Sequence, residues 1–276
     1  MNKLLHANFS RLIRNKPFWI GTLFMLAMGI LFPLVSYFNM MDDGYTRFLD
    51  SSFLNCAFFI QIVSSVFCGF FIGTEYSDGT VRNKIITGQK RSVIYLANLI
   101  VCAAAGLFMC LVYFLAHLAV GLPLLGSFRT DLTTVLLFVL CTLVLSLALT
   151  GIYTLAAMLI QSKAISSVVC ILTAFLFLVA GTYINARLSE PEAYPIYTYS
   201  SDEGLGEEKM EPNPRYLRGT ERKVYEFLYD VLPGGQTVQC TSAESDHPQL
   251  LMAYSGLIFL ASGGIGLIFF QKKDLK

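Results

Sequence analysis

The chain has 276 residues, of which 55% are hydrophobic and only 14% charged, against roughly 25% charged in a typical soluble domain. A net charge of +1 lacks the basic excess that nucleic-acid binding needs. The composition is that of an integral membrane protein, and the predicted class is all-α with six transmembrane helices.

Residues 1–16 come first. Leu4, Leu5, Phe9, Leu12 and Ile13 share one side at helical spacing, with Lys3, Ser10, Arg11 and Arg14 largely on the other. The pattern predicts an amphipathic helix lying in the membrane interface; a charged flank that merely orients the first span is the plainer alternative. Six apolar runs follow, at 17–38, 53–73, 94–120, 134–160, 165–184 and 250–270, none containing Asp, Glu, Lys or Arg. Each reaches the roughly 20 residues that a helix needs to cross hydrocarbon. The third and fourth exceed it, which predicts tilt or extension beyond the bilayer. The first reads as a retained signal anchor, being of full membrane length without a small-residue cleavage site after it.

The connections are unequal. Segments 39–52 and 121–133 are short, 74–93 is polar and basic, and 185–249 is long enough for a small subdomain. The first half of 185–249 is acidic and predicted irregular. Its second half carries Val224, Phe227, Leu228 and Val231 as a helical stripe. Thr220 is the expected N-cap, and Pro233, Gly234 and Gly235 are the expected stop. Placing the N terminus in the cytoplasm gathers Lys3, Arg11, Arg14, Lys16, Arg82, Lys84, Lys90, Arg91, Lys163, Lys272, Lys273 and Lys276 there, with only Glu75, Asp78 and Asp274 as acids. That satisfies the positive-inside rule at every cytoplasmic connection; both termini are then inside and 185–249 is exterior. Six cysteines lie in apolar runs, and the seventh, Cys240, lacks an exterior partner, so no exterior disulfide is expected. Trp19, Tyr37, Tyr95, Tyr183 and Tyr254 fall near span ends and read as interfacial anchors.

The sequence offers no power source of its own. It contains no G-x-x-x-x-G-K-[ST] phosphate loop. Its spans hold no carboxylate relay of the kind an ion-coupled carrier buries. His6, His117 and His247 are too scattered for a metal site, and no G-x-S-x-G element marks a serine nucleophile.

Two stripes suggest where helices meet or a substrate passes. Ser65, Gly69 and Gly73 recur at four-residue spacing on the second span, a small-residue face that lets another helix approach closely. Thr142, Ser146, Thr150 and Thr154 do the same on the fourth, although hydroxyls in helices often bond their own backbone. Asn55 and Gln61, costly in lipid, are expected to face protein or water.

The segment 73–91 stands out as a dense polar and basic stretch between two membrane-length runs. Gly73, the pair Glu75–Tyr76, the pair Gly79–Thr80, the pair Arg82–Asn83, Gly88 and Arg91 together resemble the cytoplasmic loop of ABC-2 transporter permeases. Leu232, Pro233, Gly235 and Gln236 resemble a stretch that recurs before the last span in the same family. The resemblance implies a non-catalytic membrane subunit of a bacterial plasma-membrane exporter, paired with a second permease and seated on two ABC ATP-binding subunits. ATP and Mg are then held by that partner, with no cofactor in this chain. It implies a coupling helix at 74–93 contacting the ATPase through Glu75, Tyr76, Asp78, Gly79, Thr80, Val81, Arg82, Asn83, Lys84 and Ile85. Asp78, Arg82 and Lys84 can supply charged contacts, and Val81, Ile85 and Ile86 can bury in a groove. Glu75 is expected to pair locally with Arg82 or Arg91. Phenylalanine-rich spans favour an amphipathic or hydrophobic cargo, such as an antimicrobial peptide, antibiotic or lipid. A sensor or scaffold that regulates an ATPase, and a secondary carrier, are the other classes the sequence allows.

Overall fold

The computed structural model describes residues 2–198, 207–245 and 247–273. Asp274 and Lys276, and residues 199–206 of the acidic connection, lie outside the described residues. A short helix α1 (Asn2–Ile13) precedes α2 (Lys16–Asp43), a single turn α3 (Asp50–Phe53), α4 (Cys56–Ser77), a short α5 (Thr80–Ile86), α6 (Arg91–Leu125), α7 (Leu132–Leu159) and α8 (Lys163–Leu188). An antiparallel hairpin of β1 (Ala193–Thr198) and β2 (Glu207–Pro212) follows, then α9 (Gly219–Val231), α10 (Pro233–Ser242) and α11 (Pro248–Lys272). Helices α2, α4, α6, α7, α8 and α11 are long and apolar enough to cross a membrane.

Local chemistry sets the helix ends. The Asn15 side chain accepts from the Phe18 amide at 3.1 Å and caps α2. The Asp131 side chain accepts from Thr133 N at 3.1 Å and caps α7. Helix α6 has 35 residues, about 52 Å at 1.5 Å per residue, and so outruns a hydrocarbon core of about 30 Å. It passes through Pro123 instead of stopping before it. The second span begins later than expected, because residues 50–53 form the separate turn α3. Asn55 therefore occupies the N-cap position of α4, half-buried, and lies outside the span.

Helix α4 is the most enclosed span, packed on α8, α7 and α2; α11 packs on α7 and α2 on α6. Small residues allow these approaches. A Cβ on Gly69 would lie 2.8 Å from Ser167 Cα, and one on Gly73 would lie 2.9 Å from Lys163 Cα, so the small face of α4 is filled by α8. Tyr95 departs from its expected anchor role. It is fully buried between α6 and α11, where its hydroxyl donates to Ser262 O at 3.2 Å and Gly266 makes room for the ring.

Among its described residues the 185–249 connection holds more regular structure than its composition suggests. The expected irregular half contains the β1–β2 hairpin, and α9 starts at Gly219 behind Arg218, with Thr220 already helical. Val224, Phe227 and Leu228 on α9 stay exposed at 49%, 56% and 37%. Pro233, Gly234 and Gly235 do not merely stop α9; they open α10, with Pro233 in its first turn, a position where its missing N–H costs nothing. The two glycines serve contact. Any Cβ on Gly234 would collide with Phe177 O, and any Cβ on Gly181 of α8 would collide with Gly234. Helix α10 is thereby wedged among α4, α7 and α8. Cys240, expected on an exterior loop, is buried on it.

Candidate functional site

The described chain starts and finishes at one end of the bundle, where Lys273 Nζ donates to Met158 O at 3.1 Å, near the end of α7. The segment that the sequence singles out lies at this same basic end. Helix α4 finishes at Ser77, and Gly79, at φ 67°, turns the chain into α5. The Thr80 hydroxyl donates to Glu75 O at 2.9 Å and pins the turn. Gly88, at φ 84°, reverses the chain again before α6; both glycines occupy the left-handed region that other residues enter at a cost.

Helical spacing then divides α5 into two faces. Val81, Lys84 and Ile85 look toward the bundle, Val81 being 2% exposed. Arg82, Asn83 and Ile86 look away, with Ile86 72% exposed, and Asp78 is exposed beside them. Of the hydrophobic residues expected to enter a partner's groove, only Ile86 faces outward. Tyr76 is turned inward and donates its hydroxyl to Met158 O at 2.5 Å.

Glu75 is the centre of the inner face. Its side chain is fully buried, and one carboxylate oxygen accepts from both Arg11 and Lys84. The other accepts from Asn98 Nδ2 at 2.7 Å. Asn98 Oδ1 in turn accepts from Asn8 Nδ2 at 3.1 Å, and Lys84 Nζ donates to Asn8 Oδ1 at 2.9 Å. The Arg11 guanidinium lies 3.8 Å from the Phe71 ring centroid. This replaces the expected pairing of Glu75 with Arg82 or Arg91. The turn at Gly79 aims Arg82 outward, and Arg91, opening α6, donates to the carbonyls of Gln271 and Lys273.

The network joins α1, α4, α5 and α6, and two basic side chains share one carboxylate. Burial, and after it the Arg11 cation, push Lys84 down to about 7. Burial also lowers Arg11 to about 10, with Cys102 and Asp78 acting in the opposite sense. Buried charge of this kind is held by its hydrogen bonds, and Arg11 Nε is the donor of this set left without a partner among the described residues. Short polar contacts thus link Lys84 of α5 to Glu75 of α4, Asn98 of α6, and Asn8 and Arg11 of α1. On α1 the buried set is Leu4, Asn8 and Leu12, whereas Phe9 and Ile13 are exposed.

The other residues marked in the sequence fall elsewhere. Thr142, Ser146, Thr150 and Thr154 are all fully buried within this one chain. Thr142 and Thr150 donate to the carbonyls of Phe138 and Ser146, each at 2.9 Å, and the stripe faces Gly106 of α6. Ser65 likewise donates to Ile62 O at 2.8 Å. Gln61 is buried near the opposite end of the bundle, where Nε2 donates to Ala174 O at 2.9 Å and Oε1 accepts from Thr237 of α10 at 2.5 Å. Gln236 accepts from Ser255 of α11. Sequence reasoning missed Asn8, Asn98 and Thr237, and marked Gln236 only through the family resemblance. Asn98 had a legible signal, a lone amide in an apolar run, while the others needed the contact itself.

Comparison with known proteins gives one family. A family model described as ABC-2 family transporter protein matches residues 4–181, which takes in most of α1, all of α2 to α7 with the polar segment between α4 and α6, and most of α8. No curated protein matches the chain.

Proposed function

Because this chain belongs to the ABC-2 transporter family, a family of multi-pass permeases that work with a separate ABC ATP-binding subunit, we propose that it is the permease of an ATP-driven exporter. The observation that carries the reading is α5, a short helix held at the basic end with Asp78, Arg82, Asn83 and Ile86 outward and Lys84 tied inward to Glu75. In this reading the basic end and both termini are cytoplasmic, in a bacterial plasma membrane, and α1 lies in the interface. ATP and Mg are held by the partner subunit.

Closure of the ATPase pair moves α5, and the Glu75 network passes that movement to α4 and α6. Helix α4 transmits it to α8 through Ser65, Gly69 and Gly73, so the second and fifth spans shift together beside a second permease, identical or paralogous. Driving such a two-state unit from 1:99 to 99:1 takes about 5.5 kcal/mol of differential binding, which nucleotide binding to the partner supplies. The cargo is amphipathic or hydrophobic, a peptide, antibiotic or lipid, since the spans present apolar and aromatic surface without fixed charge.

The test is gentle purification of the tagged chain from its native membranes. The wild type is expected to bring an ATP-binding subunit in equal proportion, and Arg82→Glu to lose it while inserting normally. Unchanged complex formation and export in Arg82→Glu would remove the coupling assignment.

A further inference from the structure

We propose that the groove between α2 and α4 at the basic end binds an anionic phospholipid of the adjoining leaflet, acyl chain in the groove and phosphate on Lys16 and Lys163. This needs the membrane placement of the spans and a second permease seated clear of the α2–α4 groove, and it does not depend on export or its direction. The groove has a volume of about 400 Å³ and is walled by Ile20 and Phe24 on one side and Ile62, Val66 and Phe70 on the other. That volume falls in the range of about 300–1,000 Å³ typical of ligand pockets. The lining from Pro17 to Phe24, and from Phe70 back to Ile62, covers about 12 Å of helix. That is less than half of a hydrocarbon core about 30 Å thick, so the groove is confined to a single leaflet.

Charge at its mouth identifies the occupant. Lys16 opens α2 and is exposed, as is Arg14. Lys163 Nζ lies 5.8 Å from the centroid of the Phe70 ring, on the other wall. The acids nearest in sequence to that wall are Glu75, buried and doubly paired, and Asp78, beyond the end of α4. A second copy docked here around a two-fold axis would set this patch against itself, bringing lysine to lysine. A phosphate headgroup with an alkyl tail matches both the cations and the apolar walls, and basic residues near a membrane surface attract anionic lipid.

Trp19 is the chain's one tryptophan, 45% exposed and next to the groove on α2, so its emission reports the local lipid. The full chain is placed in phosphatidylcholine vesicles holding a minor fraction of phosphatidylglycerol, with one lipid or the other brominated in its acyl chains. Brominated phosphatidylglycerol is expected to quench beyond its bulk share, by about fivefold for each lysine, and less so as salt is raised. Lys16→Gln with Lys163→Gln should equalise the two lipids. Gln keeps the Cβ and Cγ that Lys163 packs against Gly73, and the salt series on the wild type reads the same charge without any substitution. Val66→Phe, which fills the groove, should reduce quenching by phosphatidylglycerol. Equal quenching by both lipids in the wild type, or selectivity that survives salt and both lysine substitutions, would overturn the proposal. So would disulfide cross-linking of two copies through Phe24→Cys.

Discussion

Replacing Glu75 by Gln keeps the shape of the side chain and removes the only carboxylate in the α1–α4–α5–α6 network. Arg11 and Lys84 then share a neutral oxygen, and the new amide nitrogen faces Asn98 Nδ2, a donor that previously reached a carboxylate oxygen at 2.7 Å. Removing one partner of a buried ion pair costs about 3–5 kcal/mol. The lower end applies above neutral pH, because Lys84, already pushed down to about 7, can shed its proton while Arg11 cannot. At about 2–4 °C per kcal/mol, a loss of about 3 kcal/mol lowers the melting temperature by about 6–12 °C. Asp78→Asn, on the exposed side of the same turn, should stay within about 0.5 kcal/mol. The assay is thermal unfolding of the purified chain in detergent, followed by monodispersity, for Glu75→Gln, Lys84→Met, their double variant and the Asp78→Asn control. A coupling of about 1–3 kcal/mol between positions 75 and 84 is expected. Because Arg82 is untouched, Glu75→Gln should still bind the ATPase subunit yet transport poorly. Equal melting of Glu75→Gln and Asp78→Asn, with additive behaviour in the double variant, would refute the network.

Gly69→Leu should cost about 1–3 kcal/mol through overpacking, since even its Cβ meets Ser167 Cα at 2.8 Å; a fully assembled and active variant would show that α4 and α8 do not meet there. Gly234→Ala should dislodge α10 from α8 and expose Cys240 to a maleimide reagent, and an unreactive Cys240 would count against the wedge. Between about 7 and its ordinary 10.5, Lys84 is neutral in the folded chain and protonated in the unfolded one. The unfolded chain therefore binds more protons, so the Lys84 contribution is complete above 10.5 and is lost as pH falls through about 7. Melting temperatures of wild type and Lys84→Met should thus diverge across that window in favour of the wild type as pH rises, and parallel curves would dispose of the assignment.

Hydropathy alone determined that six helices are long and apolar enough to cross a membrane, because the cost of placing charge in hydrocarbon clears Asp, Glu, Lys and Arg from every run and leaves an unmistakable length signal. The polar segment between the second and third spans was equally legible, since Gly79 and Gly88 bracket a run too polar for the bilayer, and glycine is what a left-handed turn requires. Which face of that segment looks outward was decided by tertiary structure. Arg82 and Lys84 are both basic residues on one short helix, and only the direction in which Gly79 turns the chain sends one to Glu75 and the other away. Tyr95 near a span end carries the same local pattern whether it anchors the span at the interface or fills a gap opposite Gly266. Pro233, Gly234 and Gly235 read as a stop because sequence reports backbone freedom. Their use as a contact surface exists only once Phe177 and Gly181 of α8 arrive beside them, and residues more than fifty positions apart leave no local trace of that meeting.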